Sequence, residues 1–184
     1  MYEYMKGKII LVTENYIILE VGNIAYRIYV TRNSFKLNSC VLLYIYYYCS
    51  ENIKQLYGFK QKIEREVFQK LINLKSIGIK TAFNILKNDS YETILAAVYN
   101  TNYDFLLSLN KINEKNVDSL IKEIKSIKYK DNFSIDNQFY VSLKSLDYND
   151  SDIYKSYKLI NKDQPINLMI KEAIKIIESG GLNE

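Results

Sequence analysis

The chain has 184 residues, of which 48% are hydrophobic and 25% are charged, so it can bury a core and fits one domain or two to three small ones. It contains no His, which removes the commonest general base and the commonest zinc ligand. No apolar run approaches the ~18 residues that span a bilayer, and the first residues form no signal-peptide core. We therefore expect a soluble, cytoplasmic protein with no membrane partner, metal or cofactor.

The charges are distributed unevenly along the chain. Residues 1–130 carry 19 basic and 12 acidic side chains, whereas residues 131–184 carry six basic and nine acidic ones. A basic body with an acidic tail fits a polyanionic partner for the body and a different partner for the tail. An ordinary solvated surface with scattered charges explains the same counts, so charge alone does not decide between the two.

The first 60 residues alternate on a two-residue period, which predicts β-strands. Gly22 and Asn23 lie between two β-branched runs and indicate a tight hairpin, because both residue types tolerate positive φ. Five short strands are predicted, at residues 6–12, 16–21, 24–30, 41–49 and 54–59. They indicate a small barrel of the oligonucleotide-binding (OB) type, although a generic small barrel has the same strand count. Cys40 and Cys49 fall in this part and are predicted to be buried reduced thiols.

From residue 61 onward the apolar residues follow a helical period. Short helices are predicted at residues 61–72, 79–86, 91–99, 103–109 and 115–127. The polar segment 128–137 is predicted to be a flexible linker. Residues 138–184 form three apolar stripes, with Pro165 at the start of the last helix. A unit of this size has a marginal core, so we expect it to be mobile and steadied by a partner.

The sharpest local motif is the segment 74–82, which reads Leu-Lys-Ser-Ile-Gly-Ile-Lys-Thr-Ala. It resembles a helix-hairpin-helix motif, whose usual form is Leu-Pro-Gly-Ile-Gly-x-Lys-x-Ala. In such a hairpin, unpaired backbone N–H groups point outward beside a helix dipole, where they can bind phosphate. An ordinary interhelical turn is the alternative. The predicted DNA contacts are Ser76, which replaces the first glycine, and Ile77, Gly78, Ile79 and Lys80.

A second copy of the motif lies 35 residues downstream, at residues 109–117. It keeps both apolar positions of the frame, but Lys111 and Asn113 replace the two glycines. Asn113 can still adopt a left-handed backbone, whereas Glu114 places a negative charge where a phosphate would bind. Taken alone, this copy is better explained as a plain turn. The candidate DNA contacts here are Lys111, Asn113 and Lys115.

Several longer motifs resemble the RuvA family, in the order in which that family has them. Residues 20–26, Glu-Val-Gly-Asn-Ile-Ala-Tyr, look like its Glu-Val-Gly-Gly-Val-Gly-Tyr hairpin. Residues 56–59, Leu-Tyr-Gly-Phe, followed by Glu-Arg-Glu-Val-Phe at 64–68, are similar to its barrel–helix junction. Residues 170–174 resemble its C-terminal helix. The similarity covers nearly the whole chain and is weakest at 128–140.

The resemblance implies a domain order and a function. It implies an OB-fold barrel and oligomerisation domain at 1–60, a helix-hairpin-helix DNA-binding domain at 61–127, the linker at 128–137 and a motor-binding three-helix domain at 138–184. It further implies a non-catalytic homotetramer, or an octamer on DNA, that binds four-way Holliday junctions. The implied partners are the RuvB ATP-driven motor, used for branch migration in recombination and repair, and a RuvC resolvase. The sequence leaves open tetramer against octamer, and whether a RuvC-type partner exists.

The resemblance also implies two further groups of site residues. The family carries an acidic pair on the loop before the last strand, which repels phosphates at the crossover. Here Glu51 matches the first acid and Asn52 has lost the second, so the repulsion per subunit should be halved. The implied RuvB contacts are Leu143, Leu146, Tyr148 and Ile174, which could equally be the core of the small helical unit. Asp147 replaces a glycine of the family.

Two other functions remain open from the sequence. Helix-hairpin-helix units also occur in DNA-processing enzymes such as glycosylases and nucleases. The lack of His, of clustered carboxylates and of a Gly-x-x-x-x-Gly-Lys-Ser/Thr loop argues against an enzyme. The second alternative is an interaction scaffold with no nucleic-acid role. It would be favoured if substitution of Gly78 and Lys80 left the binding partners unchanged.

Overall fold

The computed structural model of the chain describes residues 2–31, 34–127 and 135–179. Within these ranges the chain forms five strands and eight helices and divides into two compact units, Met1–Lys87 and Asn88–Glu184. None of the helices described is long and apolar enough to cross a bilayer. The boundary between the units falls inside the segment 61–127, while the four-segment division of the chain stays a prediction.

The first unit is built on a closed five-stranded barrel with the order β1-β2-β3-β5-β4. Neighbouring strands are antiparallel except β3 and β5, which are parallel. The turn between β2 and β3 contains Gly22 at φ +63°, as its hairpin signal predicts. The OB-type barrel is thereby confirmed. The strands are β1 Tyr4–Val12, β2 Tyr16–Val21, β3 Ile24–Val30, β4 Cys40–Cys49 and β5 Lys54–Phe59.

Alternate side chains of each strand fill the barrel, and two glycines allow it to close. A Cβ on Gly7 would lie 2.2 Å from the carbonyl oxygen of Glu20, and one on Gly58 would lie 2.5 Å from Cγ2 of Ile28. Each fully buried aliphatic side chain contributes about 2 kcal/mol to folding. The buried residues are Met5, Ile9, Ile17, Leu19, Ile28, Val30, Leu43 and Ile45.

The prediction of buried thiols is wrong. Cys40 and Cys49 are both exposed and both free. They are the first and last residues of β4, and they pair with Lys8 and Lys54 at the two ends of the barrel. Because both residues terminate the strand, their strand-rich sequence context does not bury them.

Helices α1, Lys62–Ile72, and α2, Ile79–Asn88, complete the first unit. The buried guanidinium of Arg65 donates to the backbone oxygen of Glu3 at 2.9 Å and forms an ion pair with its carboxylate at 2.6 Å. This pair lowers the pKa of Glu3. Glu64 accepts a hydrogen bond from the Thr31 hydroxyl at 2.8 Å. Glu64 and Arg65 of the junction motif therefore attach α1 to the residues that flank β1 and β3.

Aromatic contacts add to this attachment. The ring of Phe68 on α1 lies 5.0–5.5 Å from the rings of Tyr46, Tyr57 and Phe59. Phe83 on α2 lies 5.2 Å from Tyr57. Tyr57 and Phe59 belong to the Leu-Tyr-Gly-Phe motif, so that motif supplies the surface on which both helices pack.

The second unit is helical. Ser90 caps α3 by accepting from the N–H of Thr93 at 3.2 Å. Residues 128–134 of the predicted linker lie outside the described residues, Ile135 is buried, and Asp136 caps α6 by accepting from Phe139 N–H at 3.0 Å. The helices are α3 Tyr91–Tyr99, α4 Tyr103–Ser108, α5 Glu114–Lys125, α6 Asn137–Lys144, α7 Asp150–Leu159 and α8 Ile166–Glu178.

Candidate nucleic-acid interface

The first hairpin joins α1 to α2 and is anchored by two buried side chains. Leu74 is 5% exposed and Ile77 is 4% exposed. The N–H of Leu74 donates to Leu71 at 3.1 Å, and the N–H of Ile77 donates to Leu74 at the same distance. Ser76 stands between them with φ +76°. This left-handed residue turns the chain, so that Ile77 is buried and Gly78 is exposed at the start of α2.

The start of α2 leaves its amide donors open. Among the residues described, no acceptor receives the N–H groups of Gly78, Ile79 or Lys80. Gly78 and Lys80 are exposed, and a Cβ on Gly78 would meet no atom within 4 Å. The fold therefore does not need a glycine there. Open amides, a helix dipole and a lysine in one place can hold a phosphate.

The second hairpin joins α4 to α5 and repeats this backbone 35 residues later. Leu109 donates to Leu106 at 3.3 Å, and Ile112 donates to Leu109 at 3.0 Å. Lys111 adopts φ +62°, in the position of Ser76. Leu109 and Ile112 are 3% and 6% exposed. The degenerate copy therefore has the hydrogen bonds and the burial of the first one.

Two of the amide donors of the second hairpin are occupied by its own side chains. The N–H of Asn113 donates to Oδ1 of Asn116 at 2.8 Å, and the N–H of Lys115 donates to Oδ1 of Asn113 at 3.1 Å. Lys111, Asn113 and Lys115 are exposed, as is Glu114. Asn116 was not among the predicted site residues, although polar residues at both capping positions are a recognisable signal. This hairpin has the shape of the first one but fewer free donors.

The predicted acidic loop is a tight turn between β4 and β5. The N–H of Ser50 donates to the carbonyl of Ile53 at 2.9 Å. Glu51 and Asn52 occupy the corner of this turn, and both are exposed. The turn therefore presents one carboxylate and one amide to solvent at an end of the barrel.

The four predicted partner-binding residues have different environments. Leu143 is fully buried. It therefore supports the exposed residues around it, and a partner protein could not contact it directly. Leu146 is 55% exposed on the turn after α6. Tyr148 and Ile174 are half-buried. The hydroxyl of Tyr148 donates to Glu178 at 3.0 Å, which brings the turn to α8. Burial and this carboxylate raise the pKa of Tyr148, so its hydroxyl stays neutral.

The fold and these hairpins define a class of modular proteins in which an OB-type barrel precedes two helix-hairpin-helix repeats. Residues 1–58 match the family described as RuvA N terminal domain. Residues 68–126 match the family described as SAM-like Helix-hairpin-helix tandem.

Curated relatives match along nearly the whole chain. The Holliday junction branch migration complex subunit RuvA of Acholeplasma laidlawii is 30% identical over 184 residues, covering 96% of this chain and 99% of that protein. The subunit of the same name from Ureaplasma parvum is 35% identical over 190 residues, covering 95% and 96%. The one from Mycoplasma mycoides is 30% identical over 172 residues, covering 91% of each. The chain belongs to the RuvA family.

Proposed function

We propose that this chain binds four-way Holliday junctions by their structure and recruits an ATP-driven RuvB motor for branch migration. In this role it is the non-catalytic subunit, and ATP hydrolysis takes place on the motor. The names of its relatives, which are subunits of the branch migration complex, support this proposal. So does the basic excess of residues 1–130, because DNA backbone attracts such a surface.

The observation that carries the proposal is the open start of α2. Backbone amides at Gly78, Ile79 and Lys80 have no acceptor within the described part of the chain, and the exposed Gly78 is not needed by the fold. Packing does not require a glycine at this position. A glycine beside free backbone N–H groups lets a phosphate approach closely. Contacts of this kind position the protein on a duplex without reading its bases.

The other predicted site residues each have a separate role in this proposal. The second hairpin, with Lys111, Asn113 and Lys115, is a weak grip because its donors are occupied. The turn with Glu51 and Asn52 places one carboxylate per subunit at the crossover of a tetramer, or of paired tetramers. Leu146, Tyr148 and Ile174, supported by Leu143, form the RuvB contact. A RuvC resolvase is a further proposed partner.

The deciding experiment compares four-way junctions with linear duplex of equal length in a gel shift at moderate salt. We expect tighter binding of the junction, and affinity that falls as salt rises because phosphate contacts release counterions. Lys80→Ala should lower the salt slope by roughly 1. Equal affinity for both DNAs would count against junction recognition.

Gly78→Ala gives the sharpest test of the carrying observation. The methyl group meets no atom of the protein, so the free energy of unfolding should fall by no more than ~0.5 kcal/mol. Junction affinity should fall at least about tenfold, because the methyl displaces a phosphate from charge-assisted hydrogen bonds. Asn84→Ala, exposed on the same helix, is the matched control. Unchanged affinity in Gly78→Ala would remove the hairpin from the binding site.

A further inference from the structure

The corner between α3 and α4 holds the C-terminal helices through one asparagine. Oδ1 of Asn102 accepts from the N–H of Phe105 at 3.2 Å and so caps α4. Its Nδ2 donates to the hydroxyl of Tyr140 on α6 at 2.7 Å and lies 3.4 Å from the hydroxyl of Tyr154 on α7. One side chain therefore joins the second repeat to two of the three C-terminal helices.

The hydrogen bonds continue beyond Asn102. The hydroxyl of Tyr140 donates to Asp150, and the other oxygen of Asp150 accepts from Lys144 at 3.2 Å. The rings of Tyr140 and Tyr154 stack at 5.7 Å with an interplanar angle of 24°. The amide of Asn102, the hydroxyl of Tyr140 and the ammonium of Lys144 each face an acceptor, and satisfied donors are what allow a partly buried polar network to stabilise a fold. We call Asn102, Tyr140, Tyr154 and Asp150 the Asn102 latch.

Neighbouring contacts strengthen the same attachment. The N–H of Ile135 donates to Oδ1 of Asn100 at 3.1 Å, and Ile135 is 7% exposed. Asn100, Asn102 and Ile135 line a cavity of about 300 Å³ with both latch tyrosines. Tyr154 is 7% exposed, and burial raises the pKa of Tyr140 and of Tyr154. Both hydroxyls therefore stay protonated and keep the hydrogen bonds in place.

Within the described part of the chain, the first repeat has no equivalent of this arrangement. By the 35-residue offset between the two repeats, Val67 occupies the position of Asn102, and Val67 is buried in α1. Conversely, the open amides of the first hairpin are occupied in the second by Asn113 and Asn116. The hairpins of the two repeats have the same backbone conformation, but the side chains and the free amides that they expose differ.

We infer that the second helix-hairpin-helix repeat is the docking base of the C-terminal helices and has exchanged part of its phosphate binding for this role. The Asn102 latch fixes these helices to the α3–α4 corner. The inference rests on the proposed function only in one respect, namely that the C-terminal helices carry the RuvB contact. If they do, the motor is held on the second repeat itself.

The test replaces both latch phenols in the full chain, as Tyr140→Phe with Tyr154→Phe. These changes remove two hydroxyls and keep both rings. Hydrogen–deuterium exchange of the α6 and α7 amides should rise roughly tenfold, because local opening loses the latch hydrogen bonds. Tyr148→Phe, which removes a hydroxyl bonded within the C-terminal helices, is the matched control. Exchange no faster than in this control would overturn the inference.

A second variant, at Asn102, tests the hydrogen bond between Asn102 and Tyr140. Asn102→Ser keeps an oxygen that can cap α4 and removes the amide that reaches the phenols. Combined with Tyr140→Phe it should speed exchange by less than the two single effects together, because both changes remove the same Asn102–Tyr140 bond, whereas fully additive effects would overturn the inference. Junction affinity measured on the same variants should stay within twofold of the unmodified chain. A chain that never bound junctions would refute the proposed function and leave the exchange result to judge the latch.

Discussion

Five non-glycine residues in the described part of the chain have a left-handed backbone, and three of them stand where the motif or the family has a glycine. Ser76, Lys111 and Asp147 have φ of +76°, +62° and +63°. The first two stand where the hairpin motif has its first glycine, and Asp147 stands where the related family has one. Each such residue costs about 1 kcal/mol relative to a relaxed backbone. The bends are therefore held by the anchors on either side, Leu74 and Ile77 in the first hairpin.

Ser76→Gly should raise the free energy of unfolding by roughly 0.5–1 kcal/mol, because it removes the strain of a side chain at positive φ. Urea denaturation of the full chain measures the change. Lys75→Gly is the control, since Lys75 is exposed and has no positive φ, and it should lower the stability instead. A loss of stability in Ser76→Gly would mean that its hydroxyl matters more than its backbone.

Tyr57 makes the barrel sensitive to alkali. Burial first, and then the neighbouring tyrosines, raise its pKa to about 12, whereas an unfolded tyrosine titrates near pH 10. Between these values the unfolded chain releases a proton that the folded chain keeps, so stability falls as the pH rises from about 10 to 12. Below pH 10 both states are protonated and this contribution is fully present.

Tyr57→Phe should therefore flatten the alkaline loss of stability by up to about 2–3 kcal/mol, corresponding to two pKa units. The variant keeps the ring contacts with Phe68 and Phe83 and loses one hydrogen bond to Gln55. Urea titrations at pH 9 and pH 11.5 on both proteins give the comparison. Parallel pH profiles would show that Tyr57 ionises as freely in the fold as in the unfolded chain.

At the level of elements, the sequence locates strands and helices well where turn residues bound them. β2, β3, β5 and α3 have the predicted limits. β1 begins two residues earlier than predicted, because Tyr4 and Met5 pair with Tyr44 and Leu43. Such pairing has no local signal.

The two hairpins show where prediction of the site from the sequence ends. Their equivalence follows from spacing, since Leu74 and Leu109 serve as the same anchor. The occupied amides of the second hairpin depend on the side-chain conformations of Asn113 and Asn116, which the motif pattern does not specify. A comparison of motif letters alone therefore ranks the second hairpin as weak but does not identify the cause.

Giving the second hairpin the residues of the first should free the backbone N–H donors of the second. In Asn113→Gly with Asn116→Thr, the second hairpin has the residues found at Gly78 and Thr81. Junction affinity should rise about three- to tenfold as two amides become free. Asn116→Thr alone frees only the Asn113 amide and should give a smaller gain. No gain in the double variant would show that Glu114 or the placement of this hairpin, and not its capping, limits binding.

For the whole molecule, the contacts that link distant segments were invisible in the sequence. Asn102 and Tyr140 are 38 residues apart, and Arg65 reaches Glu3 across 62. Neither pair has a spacing rule, because each depends on how helices pack in three dimensions. Charge and motif order predict a division of labour between a basic body and a partner-binding tail, and this division stays a prediction.

This division predicts that a substitution in the C-terminal unit can impair motor-driven branch migration without impairing DNA binding. Leu146→Ser removes an apolar side chain that is 55% exposed on the C-terminal unit, so stability should change by less than ~0.5 kcal/mol. RuvB-driven branch migration should slow at least about fivefold, because we propose Leu146 as an apolar residue of the RuvB contact, while junction affinity is retained. Leu159→Ser is the control, with 58% exposure on α7. Equal loss in both variants would indicate a general effect on the helices.

The exposed ends of β4 have a practical consequence. Cys40 and Cys49 are the only thiols in the chain, and both are free. Cys49 stands two residues before Glu51. Because we propose that DNA strands cross at the neighbouring turn, a maleimide dye attached to Cys49, after Cys40→Ser, should report on those strands by fluorescence. The labelling position itself is native to the chain.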